Sequence, residues 1–475
     1  MKARPVCPED MESLQRDSFD YFLHEVNPAN GLIRDKSKRG VPASIAAVGL
    51  ALTAYPVGVE RGFMRRSDAV RRVLATLRFF RNSAQSADPN ATGYKGFYYH
   101  FLHVKRGTRA WKCELSTVDT AFLLAGMLTA AAYFSGGAEG ESEIRELSDE
   151  LYRRTDWNWA RNGGLSVTHG WNPENGFLPY RWQGYDEALF LYLLGLGSPT
   201  HPLPAESYVQ WTSTYDWREL YGHEFLYSGP LFTHQISHVW VDFRGIQDDY
   251  MRGKHSDYFE NSRRATRVQQ QYAIDNPRGF DGYNAKCWGI TATDGPGPAQ
   301  RTIDGHQREF FGYLARGVPD GPDDGSIAPW AVAASLPFAP EVVVPTLAYF
   351  EKLKLRANNR YGFKATFNST FTGNADPANA WISPYHYGLN QGPVVLMIEN
   401  YCSGLLWELT RQCPGFVTGL RRAGFRGGWL EKDGPRSPQK PANKIRGREK
   451  PAGRHKPVTE APVDRLKSPS LCNIL

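Results

Sequence analysis

Apolar residues recur every three to four positions over nine stretches: residues 9–25, 43–57, 66–83, 117–134, 141–156, 184–196, 255–273, 327–353 and 391–424. That is the period of a helix face turned toward a core, so the pattern predicts nine helices. The strict alternation of a half-buried strand is scarce. Helix starts carry their own signals. In "STVDTAFLLAGML", Ser116 or Thr117 stands where a cap belongs and Asp119 falls in the first turn. Long connectors such as "GYKGFYYHFLHVKRGTRAWKCELS" mix rings with charge. Loops beyond about 12–15 residues inside a compact domain usually carry function. Many helices joined by such loops at one end predict an all-α fold, an α/α barrel with a cleft among aromatic-rich loops.

The pattern stops after Trp429, where Pro, Lys, Arg and Ser replace large apolar groups. The prediction is one folded domain, about residues 8–431, followed by a basic disordered tail, 432–475. From Lys432 to Leu475, 11 Lys/Arg face 4 Asp/Glu, which is the whole net charge of +7 and leaves the rest of the chain neutral. The basic balance therefore gives no reason to expect a nucleic-acid ligand for the folded part. The ending "CNIL" fits a prenylation pattern and is read as coincidence. The 6 cysteines lack finger or CxxC spacing, against a zinc module or a disulfide-dense scaffold. The N-terminus has no apolar signal core, and the longest apolar run, 121–134, is shorter than the roughly 20 residues of a membrane helix. A soluble protein without a transmembrane segment is expected.

The 13 Trp, 24 Tyr and 25 Phe interleave with His, Asp, Glu and Arg in the connectors, as in Tyr94, Phe97, Tyr98, Tyr99 and His100. Sugars offer apolar C–H faces and a rim of hydroxyls, so rings beside charged groups suit a carbohydrate cleft; single rings suit a helical core equally well. Glycoside hydrolysis needs two carboxyls. The candidates are Glu114, Asp119, Glu174, Asp186, Glu187, Glu224, Asp242, Asp248, Asp249 and Glu399. Asp186 and Glu187 stand just ahead of "ALFLYLLGLG"; there they are either ordinary first-turn acids facing the helix dipole or a catalytic acid at a cleft. His234 and His238 have the i,i+4 spacing of a metal pair, but no acid follows His234 as a general base and no third ligand is evident. Structural or substrate-bonding roles are favoured and no metal is expected. Esterase, Walker and dinucleotide motifs are absent from plausible contexts.

Five blocks resemble the glucoamylase-like family of bacterial endo-β-1,2-glucanases (glycoside hydrolase family 144), related to a region of cyclic β-1,2-glucan synthases: "CELSTVDTAFLLAGML", "GWNPENGFLPYRWQGYDEALFLYLLGLGSPTHPL", "HQISHVWVDFRGIQDDYM", "DDGSIAPWAVAASLPFAPEVVVPTL" and "GLNQGPVVLMIENYCSGLLWEL". The resemblance implies an (α/α)6 barrel, a periplasmic or extracellular setting, no cofactor, and inverting hydrolysis of β-1,2-glucan by endo action or by exo release of sophorose; the missing signal core leaves a cytoplasmic setting as the alternative. It assigns the general acid to Glu187. It places Glu114, Asp119, Arg181, Trp182, Gln183, Tyr185, Asp186, His234, His238, Asp242 and Arg244 around the substrate. The family's Asp-Gln-Gly-Pro, whose Asp is a candidate base, is Asn-Gln-Gly-Pro here, with Asn390 in the catalytic position. An amide takes no proton at neutral pH. Another carboxylate then serves as base, or the protein is a transglycosylase or an impaired glucan-binding protein.

Overall fold

Ser44 and Ser116 each end a two-residue strand and open a helix, and this junction sets the plan of the molecule. In the computed structural model, which describes residues 7–373 and 379–432, strand Ala43–Ser44 runs into helix Ile45–Glu60, and strand Leu115–Ser116 into helix Thr117–Tyr133. The Ala47 N–H donates to Ser44 Oγ at 3.4 Å and the Asp119 N–H to Ser116 Oγ at 3.2 Å. Each serine thus satisfies a helix-start N–H that has no partner within its helix.

The helices they open are apolar on every side. All residues from Ile45 to Gly58 are buried, as is the whole of helix Leu189–Gly197 and helix Gly388–Cys402 from Asn390 to Asn400. Such helices have no solvent face and belong inside. Others bury one stripe: helix Arg66–Asn82 buries Ala69, Val70, Val73, Leu74, Leu77 and Phe80, and helix Glu141–Arg154 buries Ile144, Leu147 and Leu151. Along the chain, striped helices alternate with wholly buried ones. The result is a mostly α-helical molecule with extensive helix–helix packing and clustered aromatic rings.

Helices Ile45–Glu60 and Thr117–Tyr133 meet backbone to backbone. A Cβ added at Gly49 would lie 2.2 Å from the Phe122 carbonyl oxygen, and one at Gly126 would lie 2.1 Å from that of Gly49. Helix Glu9–His24 lies along helix Gly388–Cys402. There Gln15 donates to the Val395 carbonyl at 2.9 Å and to Glu399 at 3.0 Å, and Arg61 pairs with Glu399 at 2.7 Å. A disulfide joins Cys7 to Cys402 across a separation of 395 residues.

The expected helices are present, with three changes. The 327–353 stretch is two helices, Pro329–Ala334 and Pro340–Lys352; Pro340 has no N–H to continue a ladder and suits a first turn. The 391–424 stretch is three, Gly388–Cys402, Leu405–Arg411 and Pro414–Arg422, divided at Gly404 (φ 70°) and Pro414. The helix expected from 184 begins at Leu189. Strands are also more numerous than expected. Gly93–Tyr94, Phe97–Tyr99, Leu115–Ser116, Gly170–Asn172 and Gly176–Phe177 form one antiparallel sheet in that order. Hairpins pair Trp217–Leu220 with His223–Leu226 and Ala299–Ile303 with His306–Phe310. Among the described residues, no helix is long and apolar enough to cross a membrane. The expected tail, 432–475, lies outside the described residues, apart from Lys432 at the end of the last helix.

Candidate active site

A cavity of about 970 Å³ opens at the starts of the buried helices. Ser44, Val118, Asp119, Phe122, Trp330, Leu389 and Pro393 reach it from helix beginnings, and Glu187 reaches it from the turn before Leu189. Loops complete the wall with Asp35, His100, Trp111, Glu114, Tyr313 and Tyr387.

Asp186 and Glu187 part here. The Asp186 carboxylate turns into the wall, accepting from the Ala188 N–H at 2.9 Å and from Trp211 Nε1 at 3.1 Å. Glu187 is buried and lines the cavity. Burial pushes both carboxyls of the pair up, Asp186 to about 7 and Glu187 to about 8, and the charges of Asp186 and Asp119 add to the Glu187 shift. Both residues lie before the helix rather than in its first turn, so the helix-start reading of this pair does not hold. Gly184, at φ 86°, turns the chain shortly before them.

On the neighbouring wall His100 sits between two acids. Its Nδ1 is 2.8 Å from Glu114 Oε1 and its Nε2 is 3.7 Å from Asp119 Oδ2. Burial pulls the imidazole down, but Asp119 and Glu114 outweigh it and hold it up at about 9. An imidazolium between two carboxylates is the resulting state at neutral pH. Burial raises Glu114, and His100 reverses that to hold it below the usual carboxylate range; for Asp119 burial prevails and the carboxyl is raised. These three are also the one group among the described residues with metal-ligand proximity, and their mutual ion pairs account for it. Asp35 completes the set of acids. Burial pushes it up to about 6 against the pull of Lys36 and His100. Among the described residues no hydrogen bond reaches its carboxyl.

Of the residues expected around the substrate, Glu114, Asp119 and Glu187 line the cavity. The others do not, and most are tied into the scaffold. Arg181 donates to the carbonyls of Ser166 and Arg161 at 2.6 and 2.8 Å. Trp182 donates to Thr117 Oγ1 at 3.0 Å and stacks on His169. Tyr185 packs against Tyr215, Tyr258 and His234. Gln183 is half-buried away from the lining. His234 and His238 are buried and hydrogen-bond the Ser228 carbonyl and Ser262 Oγ, respectively. Asp242 is held by Arg244 and Arg411. Asn390 is fully enclosed, with both amide atoms unpartnered, whereas Leu389 and Pro393 of its helix line the cavity.

The remaining acids lie away from the cavity lining. Glu174 pairs with Arg109, Asp248 accepts from Tyr208 and Tyr258, Asp249 pairs with Arg252, and Glu399 pairs with Arg61. Glu224 sits exposed on a hairpin strand. Tyr94, Phe97, Tyr98 and Tyr99 pack inward; of that block only His100 and the following Phe101 reach the cavity. Sequence reasoning missed Asp35, Lys36, Trp111, Tyr313 and Tyr387, and took His100 only for a neighbour of rings. The one available signal was that they fall in long connectors.

An acid-lined cavity at one end of a helical scaffold, with one carboxyl held protonated, is the arrangement of a glycosidase-like protein. Residues 179–414 match the family described as "Putative glucoamylase". A solved structure of that description from Bacteroides uniformis is 34% identical, with 88% of this chain and 98% of that one covered and a TM-score of 0.77. The endo-beta-1,2-glucanase of Chitinophaga pinensis, solved with sophorotriose and glucose, is 27% identical over 88% of this chain and 98% of its own, with a TM-score of 0.76. The exo beta-1,2-glucooligosaccharide sophorohydrolase of Parabacteroides distasonis is 28% identical over 88% of this chain, which spans 58% of that relative's length. The chain belongs to the glucoamylase-like family.

Proposed function

We propose that the protein is a glycoside hydrolase that cleaves β-1,2-glucan with inversion. The observation that carries this reading is the Glu187 carboxyl, buried in the cavity wall and held up at about 8. Such a group keeps its proton at neutral pH and has it to give. The proton passes to the glycosidic oxygen as the bond to the anomeric carbon breaks. Water attacks the opposite face, and its proton goes to a carboxylate there. Asp35 suits that second role: it lines the same cavity, its carboxyl carries no hydrogen bond among the described residues, and at about 6 it is ionised at neutral pH. Glu114 and Asp119 share the His100 cation and suit hydroxyl binding. Because Asn390 lies off the cavity surface, its amide does not favour an impaired or glycosyl-transferring protein.

The substrate class follows the relatives named above. The alternation of striped and buried helices supports closure as an (α/α)6 barrel. The Cys7–Cys402 bridge supports a periplasmic or extracellular setting, since disulfides persist in oxidising compartments. The test is product analysis on linear and cyclic β-1,2-glucan, with cellulose and laminarin fragments as controls. Wild type is expected to release reducing sugar from β-1,2-glucan alone, and the product sizes separate endo from exo action. Glu187→Gln keeps the shape but not the donated proton, so turnover should fall about 10²–10⁴-fold while glucan binding survives. Equal loss of binding and turnover, or no wild-type cleavage of glucan that it binds, rejects the mechanism.

A further inference from the structure

Trp111 is 59% exposed and is, among the described residues, the one exposed tryptophan of the 13 in the chain. It does not stand on open surface: its side chain and that of Lys112 line the cavity. We propose that Trp111 is the platform of a sugar-stacking subsite at the mouth of the cavity, taking the C–H face of a neutral hexopyranose in the glucan chain. The inference rests on the hydrolase reading for its ligand class.

The backbone beneath the ring is the first argument. A β-turn is closed by the Cys113 N–H donating to the Ala110 carbonyl at 3.1 Å, and its two central residues, Trp111 and Lys112, have φ of 55° and 53°. Two consecutive positive φ values ordinarily call for Asn or Gly, because a Cβ crowds the backbone there. A bulky ring at that position is an outlier of the kind that persists only where the surroundings over-determine it. Here they do. Arg109 is buried below the turn and donates to the carbonyls of Lys112 and Cys113, both at 2.6 Å; its guanidinium is also forked onto Glu174 at 2.8 and 3.0 Å and lies over the Tyr99 ring. The clamp fixes a turn whose evident product is an indole held outward at the cavity edge.

The second argument is what lies inward of the ring. Trp111 packs on Phe101 with centroids 5.1 Å apart, and Phe101 stacks on His100 at 3.9 Å with planes 13° apart. His100 is the cation shared by Glu114 and Asp119. Three rings thus lead from the mouth to the acids, with only the outermost exposed. An indole face of this kind suits a pyranose, whose hydroxyl rim meets Lys112 and Asn172 on the same lining. A protein-docking surface would need a wider apolar patch than one ring on a lip.

The test uses the whole chain and linear β-1,2-glucan. Trp111→Ala is expected to raise KM about tenfold, which is 1.4 kcal/mol, with kcat changed less than threefold. Trp111→Phe should recover most of the loss, because it restores a face without the indole. A second readout needs no variant: mild N-bromosuccinimide oxidation, mapped by peptide mass spectrometry, should mark Trp111 first, and glucan should slow it. Equal KM for wild type and Trp111→Ala, with hydrolysis intact, overturns the subsite and leaves the hydrolase reading standing. If wild type cleaves no glucan, the hydrolase reading fails instead. The oxidation then decides: protection of Trp111 by glucan upholds the stacking platform, and unchanged oxidation overturns it.

Discussion

Asp186 and Glu187 are neighbours in sequence with different surroundings, one hydrogen-bonded into the wall and one facing the cavity. Their pH consequence is specific. An unfolded Glu loses its proton near pH 4.3, whereas folded Glu187 holds it to about 8. Between those values the folded state binds the extra proton, so this group's stabilising contribution is complete below about pH 4 and is lost as pH rises through 8. His100, raised to about 9, adds a loss on the alkaline side between its unfolded value near 6.5 and 9. The melting temperature should therefore fall from pH 5 to pH 9, and Glu187→Gln should flatten the part below 8; parallel curves for the two proteins refute it. Turnover should be bell-shaped, with limbs near 6 from Asp35 and near 8 from Glu187. The acid pair stands out in the sequence ahead of so apolar a run, but the pattern alone left it open between helix start and cleft, and the catalytic assignment came from the family resemblance. Asp35, in "GLIRDKSKRG", has no periodic neighbours and reads as a surface loop. Only the fold brings it beside His100.

At the scale of elements, the close crossing of helices Ile45–Glu60 and Thr117–Tyr133 has no room for a methyl group. Gly126→Ala improves helix propensity by up to about 1 kcal/mol yet drives a Cβ into the Gly49 carbonyl. Overpacking of this kind costs about 1–3 kcal/mol. Chemical denaturation should show a net loss of stability, and a gain would mean the crossing yields. Because this crossing carries Asp119 and Phe122 at its cavity end, turnover should fall with it. Helices were legible here because burial on one stripe writes a 3.6-residue period into the sequence. The strands were not, since most span only two or three residues and two residues show no alternation. The long expected helices broke where Pro340, Gly404 and Pro414 interrupt an otherwise continuous apolar rhythm. Those breakers were visible, but their effect depends on which hydrogen bonds the neighbouring turns supply.

At the scale of the whole molecule, the Cys7–Cys402 bridge closes a loop across a separation of 395 residues. Removing a native disulfide typically costs about 2–4 kcal/mol. Cys402→Ser should lower the melting temperature by several degrees in protein from an oxidising compartment, and an unchanged value would mean the thiols are reduced there. The bridge lies beside the contact of helix Glu9–His24 with helix Gly388–Cys402, where Gln15 reaches a carbonyl 380 residues further along. That pairing has a price in time. At about 5–20 residues per second, the first helix leaves the ribosome on the order of 20–80 s before its partner is made. Throughout that interval the Gln15 amide lacks the Val395 carbonyl and the Glu399 carboxylate that satisfy it, and the face that this helix turns to helix Gly388–Cys402 has no partner. A nascent chain halted short of residue 388 is the form in which this face is open to chaperone or protease.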